Sequence, residues 1–139
     1  MKNGSIIRDA IRLREQQKLD EILSIIHVNY HVIPNVNALM KLVDVSDIEC
    51  ERLFRNYLKK TPMRYIREYR IKKVCELLIN TDQSVTEISK QCGMGTSHLC
   101  QSVRKATGCS PLEYRRNYLR EQNSNFFQKH KEKKFLFFV

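Results

Sequence analysis

Proline and glycine are scarce, three and four in 139 residues, which leaves little material for a loop-rich β fold. No apolar run approaches the roughly 18 residues needed to cross a bilayer, so no membrane span and no membrane partner are expected. The chain does not open like a secretory leader either: Ile6-Ile7 is followed at once by Arg8, Asp9, Arg12 and Arg14. Acidic residues are in deficit, 15 against 25 Lys and Arg, giving a formal charge of +10. Such a surplus draws polyanions and is an argument about partners, not about fold.

Cysteine is present but in the wrong pattern for a framework. Cys50, Cys75, Cys92, Cys100 and Cys109 are odd in number and contain no C-x-x-C pair. Free thiols in a reducing cytoplasm fit them better than disulfides. The histidines, His27, His31, His98 and His130, do not join them at ligand spacing, so neither a metal nor another cofactor is expected. The chain also lacks a glycine-rich phosphate loop, paired carboxylates placed for a cleft, and a histidine beside a nucleophilic cysteine. An enzyme is therefore not expected.

What is there is a repeat. Thr61-Pro62-Met63-Arg64-Tyr65-Ile66-Arg67-Glu68-Tyr69-Arg70 returns 49 positions later as Ser110-Pro111-Leu112-Glu113-Tyr114-Arg115-Arg116-Asn117-Tyr118-Leu119. Each copy closes about fifty residues that read as short helix, turn and second helix. The expected fold is all-α, two helix-turn-helix subdomains joined by a long central helix. The expected organisation is an N-terminal extension over 1–17, a first subdomain over 18–61, a linker helix over 62–80, a second subdomain over 81–120, and a basic, Phe-rich tail over 121–139.

Periodicity and capping signals place the helices. From about Arg8 to Tyr30, Leu19, Ile22, Leu23, Ile26 and Tyr30 share a stripe. A short helix from about Val36 to Leu42 turns Leu39 and Val43 inward. Ser46 with Glu49, and Ser84 with Glu87, form capping boxes in which the hydroxyl accepts an orphan N–H and the carboxylate reaches back. The helix opened by Ser46 buries Cys50, Leu53, Phe54 and Tyr57. Thr61-Pro62 starts the linker helix, about 28 Å long at its expected span, with Ile66, Tyr69, Val74, Leu77 and Leu78 as its apolar face.

In the second unit Val85, Ile88 and Cys92 mirror Val36, Leu39 and Val43, and Gly93 supplies the turn. A helix from about Thr96 to Thr107 buries Leu99, Ser102, Val103 and Ala106, and Gly108 ends it in a left-handed cap. Ser110-Pro111-Leu112-Glu113 opens the last helix, expected to bury Leu112 and Tyr118.

In a helix-turn-helix the second helix can enter a major groove about 12 Å wide. The free face of the first such helix holds Ile48, Glu51, Arg52 and Arg55; that of the second holds Ser97, His98, Gln101 and Lys105, with Arg104 alongside. Arg52 suits guanine O6 and N7, Gln101 suits adenine N6 and N7, and Ile48 can pack on a thymine methyl. Ser97 and His98 can donate or accept at base edges, and Glu51 or Glu49 can accept from cytosine N4. Arg55, Arg64, Arg67, Lys72, Lys73, Arg104, Lys105 and Arg115 are assigned to phosphate, which positions without reading sequence. Asp47, Glu49 and Glu51 crowd the start of the first reading helix and weaken its grip on phosphate. The second unit has no acid from Cys92 to Pro111 and should hold harder.

These motifs resemble the DNA-binding domain of the AraC/XylS family of bacterial transcription regulators over about residues 20–120. Arg70-Ile71-Lys72-Lys73-Val74-Cys75-Glu76-Leu77-Leu78 is similar to its arginine-led linker-helix phrase. Thr81-Asp82-Gln83-Ser84-Val85-Thr86-Glu87-Ile88-Ser89 resembles the lead into its second helix-turn-helix, and Thr107-Gly108-Cys109-Ser110-Pro111-Leu112-Glu113-Tyr114-Arg115-Arg116 its closing signature.

The resemblance implies double-stranded DNA as partner, read over successive major-groove segments by Ile48, Glu51 and Arg52 and by Ser97, His98 and Gln101. It also implies a transcription regulator, more often an activator, working in the bacterial cytoplasm on the nucleoid and touching RNA polymerase when it activates. Met1 to Gln17 is too short for the ligand-binding or dimerisation domain that family members carry. The chain is thus expected to be either a minimal regulator or the end of a longer one, monomeric or weakly dimeric through its Phe-rich tail. Departures include Met94 after Gly93, and Lys59 where the first reading helix often ends in glycine. The competing reading is a helical protein-interaction module, such as a regulatory partner of another DNA-binding protein.

Overall fold

The computed structural model describes residues 2–122, and these are all-α apart from their connections. In chain order they form α1 (Lys2–Asn29), a 3-10 turn (Tyr30–Val32), α2 (Val36–Met40), α3 (Asp47–Leu58), α4 (Pro62–Asn80), α5 (Val85–Gln91), α6 (Thr96–Thr107) and α7 (Pro111–Gln122). Two compact units divide between Ile66 and Arg67. The long helix α4 therefore bridges two helical subdomains, its first turn belonging to one and the rest to the other. Of the tail expected over 121–139, only Glu121 and Gln122 are among the described residues, and they close α7.

Helix α1 starts at Lys2, earlier than periodicity suggested, and runs unbroken through the segment expected to be a separate extension. The reason is local: after Gly4 no glycine or proline occurs until Pro34. Leu19, Ile22 and Ile26 are buried in the first unit's core with Ile33, Leu39, Cys50, Leu53, Phe54 and Ile66. The start of α4 is fixed there by Tyr65, which packs edge-on against Phe54 with centroids 5.8 Å apart and meets Nε2 of His27 at 2.6 Å.

Capping follows the sequence closely in the second unit and only half-way in the first. Ser84 Oγ accepts from the Glu87 N–H at 3.1 Å, and the Glu87 carboxylate accepts from the Ser84 N–H at 3.2 Å, completing the box. Ser46 Oγ likewise accepts from the Glu49 N–H at 3.2 Å. The Glu49 carboxylate, however, accepts from Lys18 Nζ of α1 at 3.0 Å instead of reaching back. A tertiary cation outcompetes a neutral backbone N–H for a charged acceptor.

The core of the second unit corrects two sequence expectations. On α4, Tyr69 and Leu77 are only half-buried, while Ile71, Val74, Cys75 and Leu78 are buried. That set is spaced i, i+3, i+4 and i+7, a single helical stripe. On α7, Leu112 is 56% exposed, whereas Pro111, Tyr114 and Tyr118 point inward at i, i+3 and i+7. Ser102 and Ala106 of α6 are half-buried beside the buried Leu99 and Val103. Val43 and Tyr57 are also half-buried.

Helix α3 ends on a strained residue. Lys59 adopts φ 58°, ψ 32°, the left-handed region, with its Nζ donating to the Asn56 carbonyl at 3.1 Å. At the equivalent end of α6 the same region is taken by Gly108, at φ 79°, where no Cβ is crowded. Lys59→Gly should therefore stabilise the fold by about 1 kcal/mol, visible as a higher midpoint in urea unfolding; an unchanged midpoint would show the strain is relieved elsewhere.

Burial also governs the thiols. Cys50 is pushed up from 9.0 to about 11, by burial first and then by the charges of Asp47, Glu51 and Glu49. Cys75 is pushed up from 9.0 to about 12 by burial and the Glu76 charge, opposed by a hydrogen bond with Tyr114. Both folded values lie above the unfolded one, so their contribution is intact below about pH 9 and is lost as pH rises toward the folded values. On the alkaline side these thiols should leave thermal stability unchanged up to about pH 8.5 and then lower it, on the order of 2 kcal/mol per thiol by pH 10.5. The fall should be shallower in Cys50→Ala.

Candidate nucleic-acid interface

In each unit the helix after the turn buries one stripe and leaves the opposite face open. Helix α3 buries Cys50, Leu53 and Phe54. Ile48 is 81% exposed, and Glu51, Arg52 and Arg55 are exposed with it. Helix α6 buries Leu99 and Val103 and exposes Ser97, His98, Gln101, Arg104 and Lys105. All six residues expected at bases, and the phosphate candidates on these two helices, thus lie on outward faces.

The turn before α6 is held by a buried hydroxyl. Ser89 Oγ donates to the Thr86 carbonyl at 2.8 Å and lies 3.3 Å from Thr96 Oγ1 at the start of α6. Gly93, at φ 70°, reverses the chain, and the Met94 N–H donates to the Ser89 carbonyl at 2.9 Å. These contacts set where the first turn of α6, with Ser97 and His98, emerges. Gly95 caps that helix without a side-chain bond, so the positive end of its dipole is not offset by a capping side chain.

The first unit is less acidic in effect than its sequence. Glu49 is neutralised by Lys18, leaving Asp47 and Glu51 at the start of α3. At the other end of α3, Arg55, Lys59, Lys60, Thr61 and Arg64 line one open cavity of about 390 Å³ with no acid among them. The sequence expectation names Arg55 and Arg64 here; Lys59 and Lys60 line the same cavity and are not among the residues expected from the sequence. Their adjacency just before Thr61-Pro62, between two cationic helix ends, was the available signal.

Other expected phosphate residues divide. Arg64 and Arg67 on α4 are exposed, and Lys72 is half-buried. Lys73 is drawn to Glu76 at 3.3 Å and lies 5.4 Å from the Tyr69 ring centroid. Arg115 is half-buried and engaged within the fold. Its Nε donates to the Leu78 carbonyl at 2.7 Å and its Nη2 to the Gln83 carbonyl at 2.6 Å. It closes the end of α4 and the following loop onto α7, satisfying one carbonyl that the last turn of α4 leaves orphaned and one of the loop. Charge and position alone could not separate this brace from a surface cation.

Arg52 has a partner as well. Its Nη1 donates to Glu15 Oε2 at 3.1 Å, and the Tyr57 hydroxyl donates to the same oxygen at 3.3 Å. Glu15 belongs to the stretch read as an extension and was not foreseen near the interface. Among the described residues no group of three or more His, Cys, Asp or Glu could hold a metal, and no helix is long and apolar enough to cross a membrane.

Comparison with known proteins agrees with this geometry. The family described as a helix-turn-helix domain matches residues 39–117. The HTH-type transcriptional regulator YdeC of Bacillus subtilis is 32% identical over 109 residues, covering 78% of this chain but only 38% of YdeC. This chain thus spans less than two-fifths of that relative. An AraC-type DNA-binding domain-containing transcriptional regulator from Chromobacterium violaceum has a similar crystal structure, with 31% identity, TM-score 0.65, and coverage of 72% of this chain and 90% of that one. The DNA-binding domain of AdpA, solved in complex with a target DNA, shares 25% identity at TM-score 0.69, covering 77% of this chain and 97% of its own.

Arg115→Ala should lower stability by roughly 2–3 kcal/mol through two carbonyls left short of a donor. Arg116→Ala, one residue on and exposed, should leave stability within about 0.5 kcal/mol. Paired urea titrations would decide the matter, and equal midpoints would refute the bracing role.

Proposed function

This chain belongs to the AraC/XylS-type helix-turn-helix transcription regulators, whose DNA-binding domain it carries, and from that premise we propose that it reads a specific duplex through both helical units. The proposed organisation is a first helix-turn-helix over 18–61, a linker helix over 62–80 and a second helix-turn-helix over 81–120, with 1–17 and 121–139 as appendages. Successive major-groove segments would be read by Ile48, Glu51 and Arg52 on α3 and by Ser97, His98 and Gln101 on α6.

The observation that carries this reading is the outer face of α6. Ser97, His98, Gln101, Arg104 and Lys105 are exposed together over a helix anchored by Leu99 and Val103. The face offers hydrogen-bonding groups that match base edges, flanked by cations and free of acid. A generic solvated helix face would mix both signs of charge.

Phosphate contact is assigned to Arg55 and Arg64, joined by Lys59 and Lys60 in the first unit, and to Arg67, Lys72, Arg104 and Lys105. Lys73 is a weaker candidate because Glu76 shares its charge. Arg115 is likewise a weaker candidate, because its Nε and Nη2 serve two backbone carbonyls of the fold. Recruitment of RNA polymerase, an activating role, action in the bacterial cytoplasm, and binding as a monomer or weak dimer complete the proposal.

The protein should select one sequence of about 20 base pairs from a random duplex pool and lose affinity steeply as salt rises, through counterion release. On that duplex Gln101→Ala should cost roughly 1–3 kcal/mol and relax preference at one or two base pairs. Lys105→Ala should weaken all duplexes alike. Fluorescence anisotropy across salt concentrations measures both; salt-insensitive or absent binding would favour a protein-interaction module, and a uniform loss from Gln101→Ala would remove it as a reader.

A further inference from the structure

Helix α1 lies against α3 through two ion pairs. Lys18 meets Glu49 at 3.0 Å and Glu15 meets Arg52 at 3.1 Å. Each step of three residues back along α1 matches three forward along α3, so the helices run antiparallel, one turn per pair. The segment before Glu15 continues along α3, and Arg8, Ile11, Arg12 and Glu15 line an open cleft with Arg52, Asn56 and Tyr57. The N-terminal part of α1 is therefore a second wall beside the proposed reading helix.

The two partners of the outer pair differ in exposure. The Glu15 side chain is 20% exposed and that of Arg52 46%. The carboxylate is withdrawn and doubly held, because Tyr57 donates to the same oxygen that receives Arg52. The Tyr57 phenol is shifted upward, by burial first and then by the charge and hydrogen bond of Glu15, so it stays a donor. A guanidinium carries five N–H donors. With Nη1 committed to Glu15, enough remain for the two that a guanine edge accepts.

We propose that Glu15 is a positioning residue for base reading: it holds Arg52, with Tyr57 behind it, so that the guanidinium meets one guanine and discriminates at that base pair. This rests on the duplex-reading function proposed above. Two physical reasons suit a paired arginine to base reading, the second of them at the expense of phosphate contact. A free arginine spreads over many rotamers, and fixing it beforehand removes that cost from binding. A carboxylate beside the guanidinium also repels phosphate while leaving a neutral base edge unopposed.

The test uses the whole chain and the duplex selected from the random pool, with every base pair then changed in turn. Affinities are measured for the parent, Glu15→Ala, Arg52→Ala and the double variant, with melting temperatures alongside. One G·C pair should lose discrimination in Glu15→Ala by roughly five- to tenfold, within the range of a single base contact. Arg52→Ala should abolish preference there, and the double variant should be no worse than Arg52→Ala. Tyr57→Phe should fall between parent and Glu15→Ala at the same pair.

If Glu15→Ala melts too low to assay, Glu15→Gln keeps the shape without the charge and should show a smaller loss at that pair. Unchanged discrimination, a uniform gain in affinity on all duplexes, or further loss in the double variant would overturn the assignment. Specific binding with an indifferent Glu15→Ala or Glu15→Gln sinks this inference alone. Failure to select any duplex sinks it together with the reading on which it rests.

Discussion

Everything the two units present depends on how their second helices are buried. Cys50, Leu53 and Phe54 on α3, and Leu99 and Val103 on α6, are withdrawn from water completely or nearly so. A helix has one such stripe to spend, and once it is packed the opposite side is held outward. The hydrophobic effect that folds each small unit is thus also what aims Ile48, Glu51 and Arg55, or Ser97, His98 and Gln101, away from it. Burial of a well-packed leucine or phenylalanine is worth about 1.5–3 kcal/mol, far more than any single surface contact these faces make in the free protein.

The units solve the same problem with different auxiliary parts. In the second, the parts are local: a complete capping box at Ser84 opens α5, and the turn after it is set by a reversal at Gly93 and by the Ser89 hydroxyl joining α5 to the start of α6. The first has only half a box and a left-handed lysine, and it is fixed instead by a neighbour, α1. Polar braces from later or earlier helices recur in both: Arg115 ties α7 to the end of α4, and Lys18 and Glu15 tie α1 to α3.

These braces change how charge should be counted. A formal surplus of +10 treats every cation as available, but Arg115 serves two carbonyls and Lys73 faces Glu76. Conversely, the acidic start of α3 is milder than it looks because Lys18 covers Glu49. Positive side chains without an acid among them gather on the exposed face of α6 and around the cavity lined by Arg55, Lys59, Lys60 and Arg64, where a polyanion would meet little opposition.

The all-α class, the repeated helix-turn-helix plan, the long central helix and the outward faces of α3 and α6 were all legible in the order of residues. Each is written locally, in 3.6-residue periodicity, in Ser-x-x-Glu and Ser/Thr-Pro caps, and in glycines at turns. Leu112 and Leu77 were misplaced because each stands beside another apolar residue, Pro111 or Leu78, about 100° away around the helix, and only the partner helix resolves which of the two turns inward. The roles of Arg115, Glu15 and Glu49 lay beyond the sequence for a stronger reason. Their partners stand 37 and 32, 37, and 31 positions away, and no local pattern records which distant carbonyl or charge a long side chain will find once the cores have closed.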